Sequence, residues 1–422
     1  MNFLKDLTEK IGSGATPRGG KNAYQGGNFS LIRSQNVLDF QFSFNGLAKI
    51  NDEQAKALSN VEVLDGDVLL NITGDSVARC CQVDAKSLPA RVNQHVCIIR
   101  PKKDKLDARF LKYLLLEPNY KNFLLTLASA GATRNALTKG MVEELEVPQV
   151  DVTDQKAIAH ILGTLDDKIE LNQKMNQTLE EIAKAIFKSW FVDFDPVRAK
   201  AEGRPTGLSP EISDLFPDEL VDSEIGEIPK GWETTFLSNQ LSFVLGGDWG
   251  KADESDATPH ECRCVRGADI ANLQQFVWSD MPTRYLKESS FQKRSLQDWD
   301  IVFEISGGSP TQSTGRSVLI TKQLLNAYEA SVTTSNFCRL LRFGDPQSAL
   351  FHYQKFRSSY DRDEFFMYET GTTGIKNFGF KYYSEDIPYT LPPSTLLEEF
   401  FEIAQPMIEK AGFNMRENMV LS

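Results

Sequence analysis

Three observations predict an α+β protein with two tandem mixed α/β domains, each followed by a long helix. They are an internal duplication, a heptad-spaced helix of about forty residues, and a Pro-rich acidic segment between the copies.

The duplication sets the architecture, since a fixed period in a sequence is the mark of a repeated structural unit. A shift of 233 residues lays FLKDLTEKIGSG from Phe3 over FLSNQLSFVLGG from Phe236, LIRSQNV from Leu31 over CVRGADI from Cys264, and GDVLLNITG from Gly66 over WDIVFEISG from Trp299. At slightly larger shifts HVCIIR (His95) matches NFCRLL (Asn336), ASAGAT (Ala128) matches YETGTT (Tyr368), EVPQ (Glu146) matches TLPP (Thr390), and LNQKMN (Leu171) matches FNMREN (Phe413). Each copy runs through short strands, a helix, Gly-rich turns, a strand ending in Pro, and a long helix. The β-rich runs DVLLNI and HVCIIR, bounded by turn residues, predict strands, and apolar spacing over Ala108–Leu127 predicts one helix.

From Thr153, a fair N-cap, only Gly163 interrupts the helical pattern before Pro196. Ile158, Leu162, Leu165, Ile169, Asn172, Asn176, Leu179, Ala183, Ile186 and Trp190 alternate steps of four and three, a heptad seam in which two Asn weaken packing but fix register. The second copy repeats the seam from Ser394 with Leu397, Phe400, Ala404, Met407 and Ala411, over a shorter span. The two helices are expected to pair as an antiparallel coiled coil. The domains expected are 1–152, a first globular copy; 153–192, a helix; 193–232, a surface connection with five prolines and many acids; 233–393, a second copy; and 394–422, a second, shorter helix.

Net charge is −12, which on its face argues against nucleic acid. Split by region it is +3 over 1–150, −8 over 151–230, −4 over 231–393 and −3 over 394–422, so global acidity does not exclude a polyanionic partner. No stretch approaches the roughly 18 apolar residues of a membrane span. The start MNFLKDLTEKIGSG lacks a basic and then apolar leader, so a cytoplasmic location is expected. Six cysteines are too few for a disulfide scaffold and predict reduced core thiols.

Catalytic motifs fail in turn. Asp195-Pro196-Val197 lacks the second Pro and the aromatic of an adenine methyltransferase turn. A phosphate-loop match puts Ala15 at the first glycine and ends Gly20-Lys21-Asn22. His260, Cys262 and Cys264 would share one strand face as metal ligands, but the repeat lays Phe29 and Leu31 over the two cysteines, which makes them core positions. No catalytic residue and no metal site is expected. The rival readings are a coiled-coil scaffold without nucleic acid and a stand-alone DNA-modifying enzyme.

The order GSGATPRGG, LIRSQNV, GDVLLNITGD, VNQHVCIIRP, GATRNALTKGMVEELEVPQV, the helix DQKAIAHILGTLDDKIELNQKMNQTLEEIAKAIFKSWFVDFDPV and the linker AEGRPTGLSPEISDLFPDELVDSEIGEIPKGWE resembles the specificity subunit of type I restriction-modification systems. The resemblance covers essentially the whole chain. It implies two target-recognition domains that each read one half of a split, non-palindromic double-stranded DNA site. It also implies helices that space them and bind two methyltransferase subunits, with endonuclease/translocase subunits joining that core. S-adenosylmethionine, ATP and Mg²⁺ would bind on those partners, and no cofactor here. A helical overlap of roughly 28 residues spans about 40 Å, close to the roughly 34–36 Å between half-sites one DNA turn apart.

Repeat position and chemistry together select the candidate DNA contacts. Arg33 falls over Arg266, just beyond a strand. Arg18, Lys21, Arg134, Asn135, Lys251, Lys376 and Asn377 lie in Gly-rich turns, and Gln94, His95 and Asn336 start a matched strand. These residue types supply base-edge and phosphate contacts. On the first helix, Ile182, Phe187, Trp190 and Phe191 exceed what one helix pair buries and are the expected partner-binding residues.

Overall fold

The computed structural model describes residues 2–17, 23–24, 26–130, 135–309, 311–371 and 375–421. It divides into two units, Met1–Asp167 and Lys168–Ser422, and the same arrangement is built in each.

In Met1–Asp167, one antiparallel sheet runs in the order Thr8–Ser13, Val96–Pro101, Val68–Asn71, Cys80–Gln82. The second runs Ala48–Ile50, Phe29–Ile32, Ala90–Val92, Glu62–Val63, with its central pair parallel. Successive strand residues point to opposite faces, and both faces of the first sheet are buried. Val68, Leu70, Cys80 and Ile99 face one core with the helix residues Leu111 and Leu115. Leu69, Cys81 and Ile98 face the other, with Leu31, Ile32 and Val92 of the second sheet. The adjacent cysteines Cys80 and Cys81 therefore sit on opposite sides of one sheet, both as buried free thiols. Burial pushes the Cys81 and Cys97 thiols up to about 12, so neither is poised as a nucleophile.

The helix expected over Ala108–Leu127 is two, Ala108–Leu116 and Pro118–Ser129. Pro118 has no N–H to give the preceding turn. Glu117 takes an extended conformation, and its carboxylate accepts from the Tyr120 N–H at 2.7 Å, capping the new start.

Lys168–Ser422 repeats the first sheet order in Leu241–Gly246, Cys338–Phe343, Ile301–Glu304, Ser317–Leu319, and the first three strands of the second in Thr283–Leu286, His260–Val265, Ser331–Thr334, the last pair again parallel. The repetition extends to irregularities. The edge strand slips register between Thr8 and Lys10, and again between Leu241 and Phe243. Asp67, fully buried, takes two hydrogen bonds from Arg100 (2.7 and 2.8 Å) and one from the Leu64 N–H. Asp300 takes the same set from Arg342 (2.7 and 2.8 Å) and the Gln297 N–H. This pairing corrects the sequence match of HVCIIR with NFCRLL. Val68 faces Ile99 and Ile301 faces Leu341, so VCIIRP lies over CRLLRF, and His95 corresponds to Phe337 rather than Asn336. A one-residue slip exchanges the faces of a strand, which is why the correction matters for the site.

The long helix is continuous over Val152–Phe191. In the first unit it is clasped by Arg109 with Asp167, and by Lys112 and Tyr113 with Asp166 (2.6 Å each). A Cβ at Gly163 would collide with the Arg109 guanidinium, so the one glycine in the helix marks a close approach. In the second unit, Asn172 donates to Glu417 (2.7 Å) and Asn418 (2.8 Å) of the helix Ser394–Leu421, and Asn176 accepts from Asn414 (2.8 Å). Further along, Phe187, Trp190 and Phe191 pack on Phe400. The partners thus descend as the helix ascends, and the seam asparagines, both 1% exposed, are hydrogen-bonded to the facing helix.

The segment 193–232, expected as a surface connection that is partly extended, carries secondary structure of its own. It contains the helices Asp195–Ala201 and Pro210–Ser213 and the hairpin Leu220–Ser223 with Gly226–Pro229. Val197, Phe216 and Trp232 are buried in the second unit's core, so its apolar residues anchor what its prolines and acids make look like a linker.

Candidate functional site

In the first unit, the turns after three strands meet around an open groove of about 600 Å³ lined mainly by polar residues. Ser34 and Gln35 follow Phe29–Ile32; Thr73, Gly74, Asp75, Ser76 and Arg79 connect Val68–Asn71 to Cys80–Gln82; His95 precedes Val96–Pro101; Asn135 and Ala136 close the side. Backbone pairing sets the walls: Thr73 bridges Ala136, and the Gly74 N–H donates to Asn135 O at 3.0 Å. His95 Nδ1 hydrogen-bonds Thr73 Oγ1, and its Nε2 lies 3.0 Å from Gln94 Nε2, which places the ring at the rim. Beneath the groove, Asn71 Nδ2 donates to Ser34 O (2.9 Å) and Val37 O (3.2 Å), tying two of the turns together.

Of the sequence candidates in this unit, the groove gathers His95 and Asn135, with Gln94 bonded to His95 and Thr16. Arg33 lies outside its lining. The Arg33 guanidinium donates to Gly46 O at 2.6 Å and sits 5.7 Å over the Tyr24 ring, while its backbone N–H donates to Asn36 Oδ1. Arg18, Lys21 and Arg134 lie outside the described residues. Sequence reasoning missed Arg79, Gln35 and Asp75. The Arg79 side chain is exposed in the groove and forms no ion pair or hydrogen bond with another described residue.

The second unit treats the same positions differently. Arg266, over Arg33 in the repeat, is bound by Asp269 through Nε (2.8 Å) and Nη2 (2.9 Å). Burial pushes the Asp269 carboxyl up, but hydrogen bonds from Arg266 and Ser279 outweigh it, and the group is held below the ordinary aspartate range. Lys376 pairs with Glu369 at 2.6 Å, and Asn377 Oδ1 accepts from Ser306 Oγ at 2.5 Å, so these two candidates meet on one small sheet but are engaged. Arg316, the counterpart of Arg79, is locked on the buried Glu304 carboxylate (2.8 and 2.5 Å). Burial pushes Glu304 up, Arg316 opposes it, and the guanidinium is held charged. Lys251 and Asn336 are exposed, and among the described residues neither forms a side-chain hydrogen bond or ion pair with this cluster. Cys262 and Cys264 are fully buried, while His260 bonds Glu288 and stacks on Phe291.

The partner-binding expectation needs correction. Phe187, Trp190 and Phe191 are 3%, 3% and 9% exposed, within a core containing Phe216, Trp232, Phe351 and Phe400. The apolar excess on the helix is covered by distant parts of the same chain. Ile182, at 41%, remains on the surface. The outward apolar stripe lies earlier, at Ile158, Ile161, Leu162 and Leu165, each at least 36% exposed. No helix among the described residues is long and apolar enough to cross a membrane.

Residues 1–181 match the family model for the type I restriction modification DNA specificity domain. The chain is similar along its length to type I restriction enzyme specificity subunits. It is 24% identical over 441 residues to the MjaIX specificity subunit of Methanocaldococcus jannaschii, covering 99% of this chain and 88% of that one. It is 30% identical over 273 residues to the HindI specificity subunit of Haemophilus influenzae, covering 55% of this chain and 59% of that one, so that match spans less than two thirds of the relative. In fold it resembles the S subunit of the type I restriction-modification system of M. genitalium, with a TM-score of 0.55 at 12% identity, covering 100% of this chain and 92% of that one.

Proposed function

We propose that the chain is the DNA-reading component of a type I restriction-modification enzyme, binding a bipartite, non-palindromic duplex site. The observation that carries this is the pairing of two homologous units whose corresponding surfaces bear different side chains. Like frames would approach DNA alike, while unlike side chains would read different half-sequences. The helices Val152–Phe191 and Ser394–Leu421 serve as an antiparallel coiled-coil spacer. The outward stripe Ile158, Ile161, Leu162 and Leu165, with its i, i+3, i+4, i+7 spacing, receives methyltransferase subunits, which recruit the endonuclease/translocase. Methyl transfer, ATP use and cleavage, with S-adenosylmethionine, ATP and Mg²⁺, belong to those partners.

Replacing residues 1–152 with the equivalent domain of a relative should change one half of the methylated sequence and leave the other intact, as read by sequencing methylated genomic DNA. A swap that changes both halves defeats the two-reader reading. Duplex binding should also weaken steeply with salt through counterion release. Salt-independent binding, or none, would favour a scaffold.

A further inference from the structure

We propose that Arg79 is a sequence-reading residue of the first unit, forking onto the major-groove edge of a guanine, and that Asn71 leaves it free to do so. The inference rests on the DNA-reading function proposed above and names the group that carries part of it.

The argument is a comparison at one backbone position. Asn71 and Glu304 are equivalent, because the Asn71 N–H donates to Arg79 O (2.9 Å) and the Glu304 N–H donates to Arg316 O (2.8 Å). In the second unit the side chains repeat that pairing, and Glu304 neutralises Arg316, which is left 14% exposed. In the first unit the carboxylate is replaced by an amide whose donor is committed to Ser34 O and Val37 O and whose buried Oδ1 has no described partner. Position 34 follows suit. Its counterpart Gly267 is a glycine where a Cβ would collide with the Glu304 carboxylate, whereas Ser34 has a Cβ at that position and its backbone O accepts from Asn71 Nδ2. Two linked exchanges, Ser34 with Gly267 and Asn71 with Glu304, thus separate a free guanidinium from a neutralised one.

The surroundings of Arg79 favour a base over a phosphate. Gln35, His95 and Asn135 present mixed donors and acceptors, and Asp75 adds a carboxylate to the same groove. A carboxylate repels a phosphate but can accept from a cytosine amine, amides suit adenine, and a guanidinium fork matches O6 and N7 of guanine.

The test uses the full chain, co-produced with the methyltransferase subunits of its system, and a pool of randomised duplexes from which bound sequences are recovered. With Arg79→Ala, preference at one guanine of the first half-site should fall roughly 5- to 150-fold, with every position of the second half-site unchanged. Arg79→Lys should recover only part of it, because an ammonium cannot fork. Ser34→Gly with Asn71→Glu should reproduce the Arg79→Ala pattern by recreating the ion pair. Arg79 is exposed, so the single Ala variant stands even if the double variant fails to fold. Unchanged selectivity overturns the proposal. So does uniform weakening across all sequences with a shallower salt dependence, the signature of a phosphate contact. If the unaltered chain shows no sequence preference at all, the underlying DNA reading fails and this inference goes with it.

Discussion

The groove of the first unit and the same place in the second are built on one backbone and filled in opposite ways. Asn71, His95 and Asn135 of the first correspond to Glu304, Phe337 and Lys376 of the second, as the strand pairings and the bridges Thr73–Ala136 and Ser306–Asn377 require. In the first unit His95 and Asn135 line an open groove, with Asn71 buried beneath it. In the second, Glu304 and Glu369 bind Arg316 and Lys376 in place. The frame itself does not vary: the Asp67–Arg100 pair and its double, Asp300–Arg342, are the same to within 0.1 Å. At this position the two units thus keep the arginine and differ in the acid that holds it, since Glu304 stands where the first unit has Asn71.

The largest effect that would sharpen this contrast is on stability. Arg316→Ala leaves Glu304 buried and unpaired and should cost the second unit about 3–5 kcal/mol. Arg79→Ala removes an exposed side chain and should stay within about 0.5 kcal/mol. Chemical denaturation of the two variants measures both. Similar losses would show that Arg79 is as structural as its counterpart, and the comparison would collapse.

Asp269 gives a smaller effect with a sign. It occupies the place of Asn36, and both accept a backbone N–H from the arginine three residues earlier. Because the Asp269 carboxyl is held below its ordinary value of 3.8, the unfolded chain takes up the proton first as pH falls. Its contribution is present above about pH 4 and lost as pH falls through the depressed folded value. Asp269→Asn should lower stability at neutral pH by about 1 kcal/mol, since Arg266 is partly solvated, and the difference should shrink as pH falls below 3.8 and vanish below the depressed folded value. A constant difference from pH 7 to pH 2, read from urea midpoints, would remove the ion pair from the account.

The duplication, the main strands and the long helix were legible because they rest on local periodicity. The seam asparagines read as register pins, and the cysteines at 262 and 264 read as core. Arg79 was not legible, since a loop insertion offsets it from Arg316 and its freedom depends on a neighbour eight residues away across a strand pair. The slip that set His95 against Asn336 arose because HVCIIR and NFCRLL are similar in either register, and only strand pairing decides between them. Phe187, Trp190 and Phe191 look like a partner surface until Phe216, Trp232, Phe351 and Phe400 arrive from distant sequence. Pro118 did announce the break in the helix expected over Ala108–Leu127, but apolar spacing continues through it.

The smallest effect on stability belongs to the long helix, and it separates folding from assembly. Its later half is committed to the second unit, with Ala183, Phe187 and Trp190 all buried. Its earlier half shows Ile158, Ile161, Leu162 and Leu165 to solvent, Ile161 most at 64%. An apolar side chain already in water contributes little to the fold, so Ile161→Asp should change stability by no more than about 0.5 kcal/mol. A carboxylate there would have to be desolvated without a partner if an apolar helix face packed on it, which costs far more than the lost methyl groups contribute. The variant should therefore keep its unfolding midpoint and lose co-purification with methyltransferase subunits, and Ile161→Leu should keep both. If Ile161→Asp assembles like the unaltered chain, the outward stripe is ordinary exposed surface, and the docking face must be sought around Ile182, the one expected partner residue that the fold leaves uncovered.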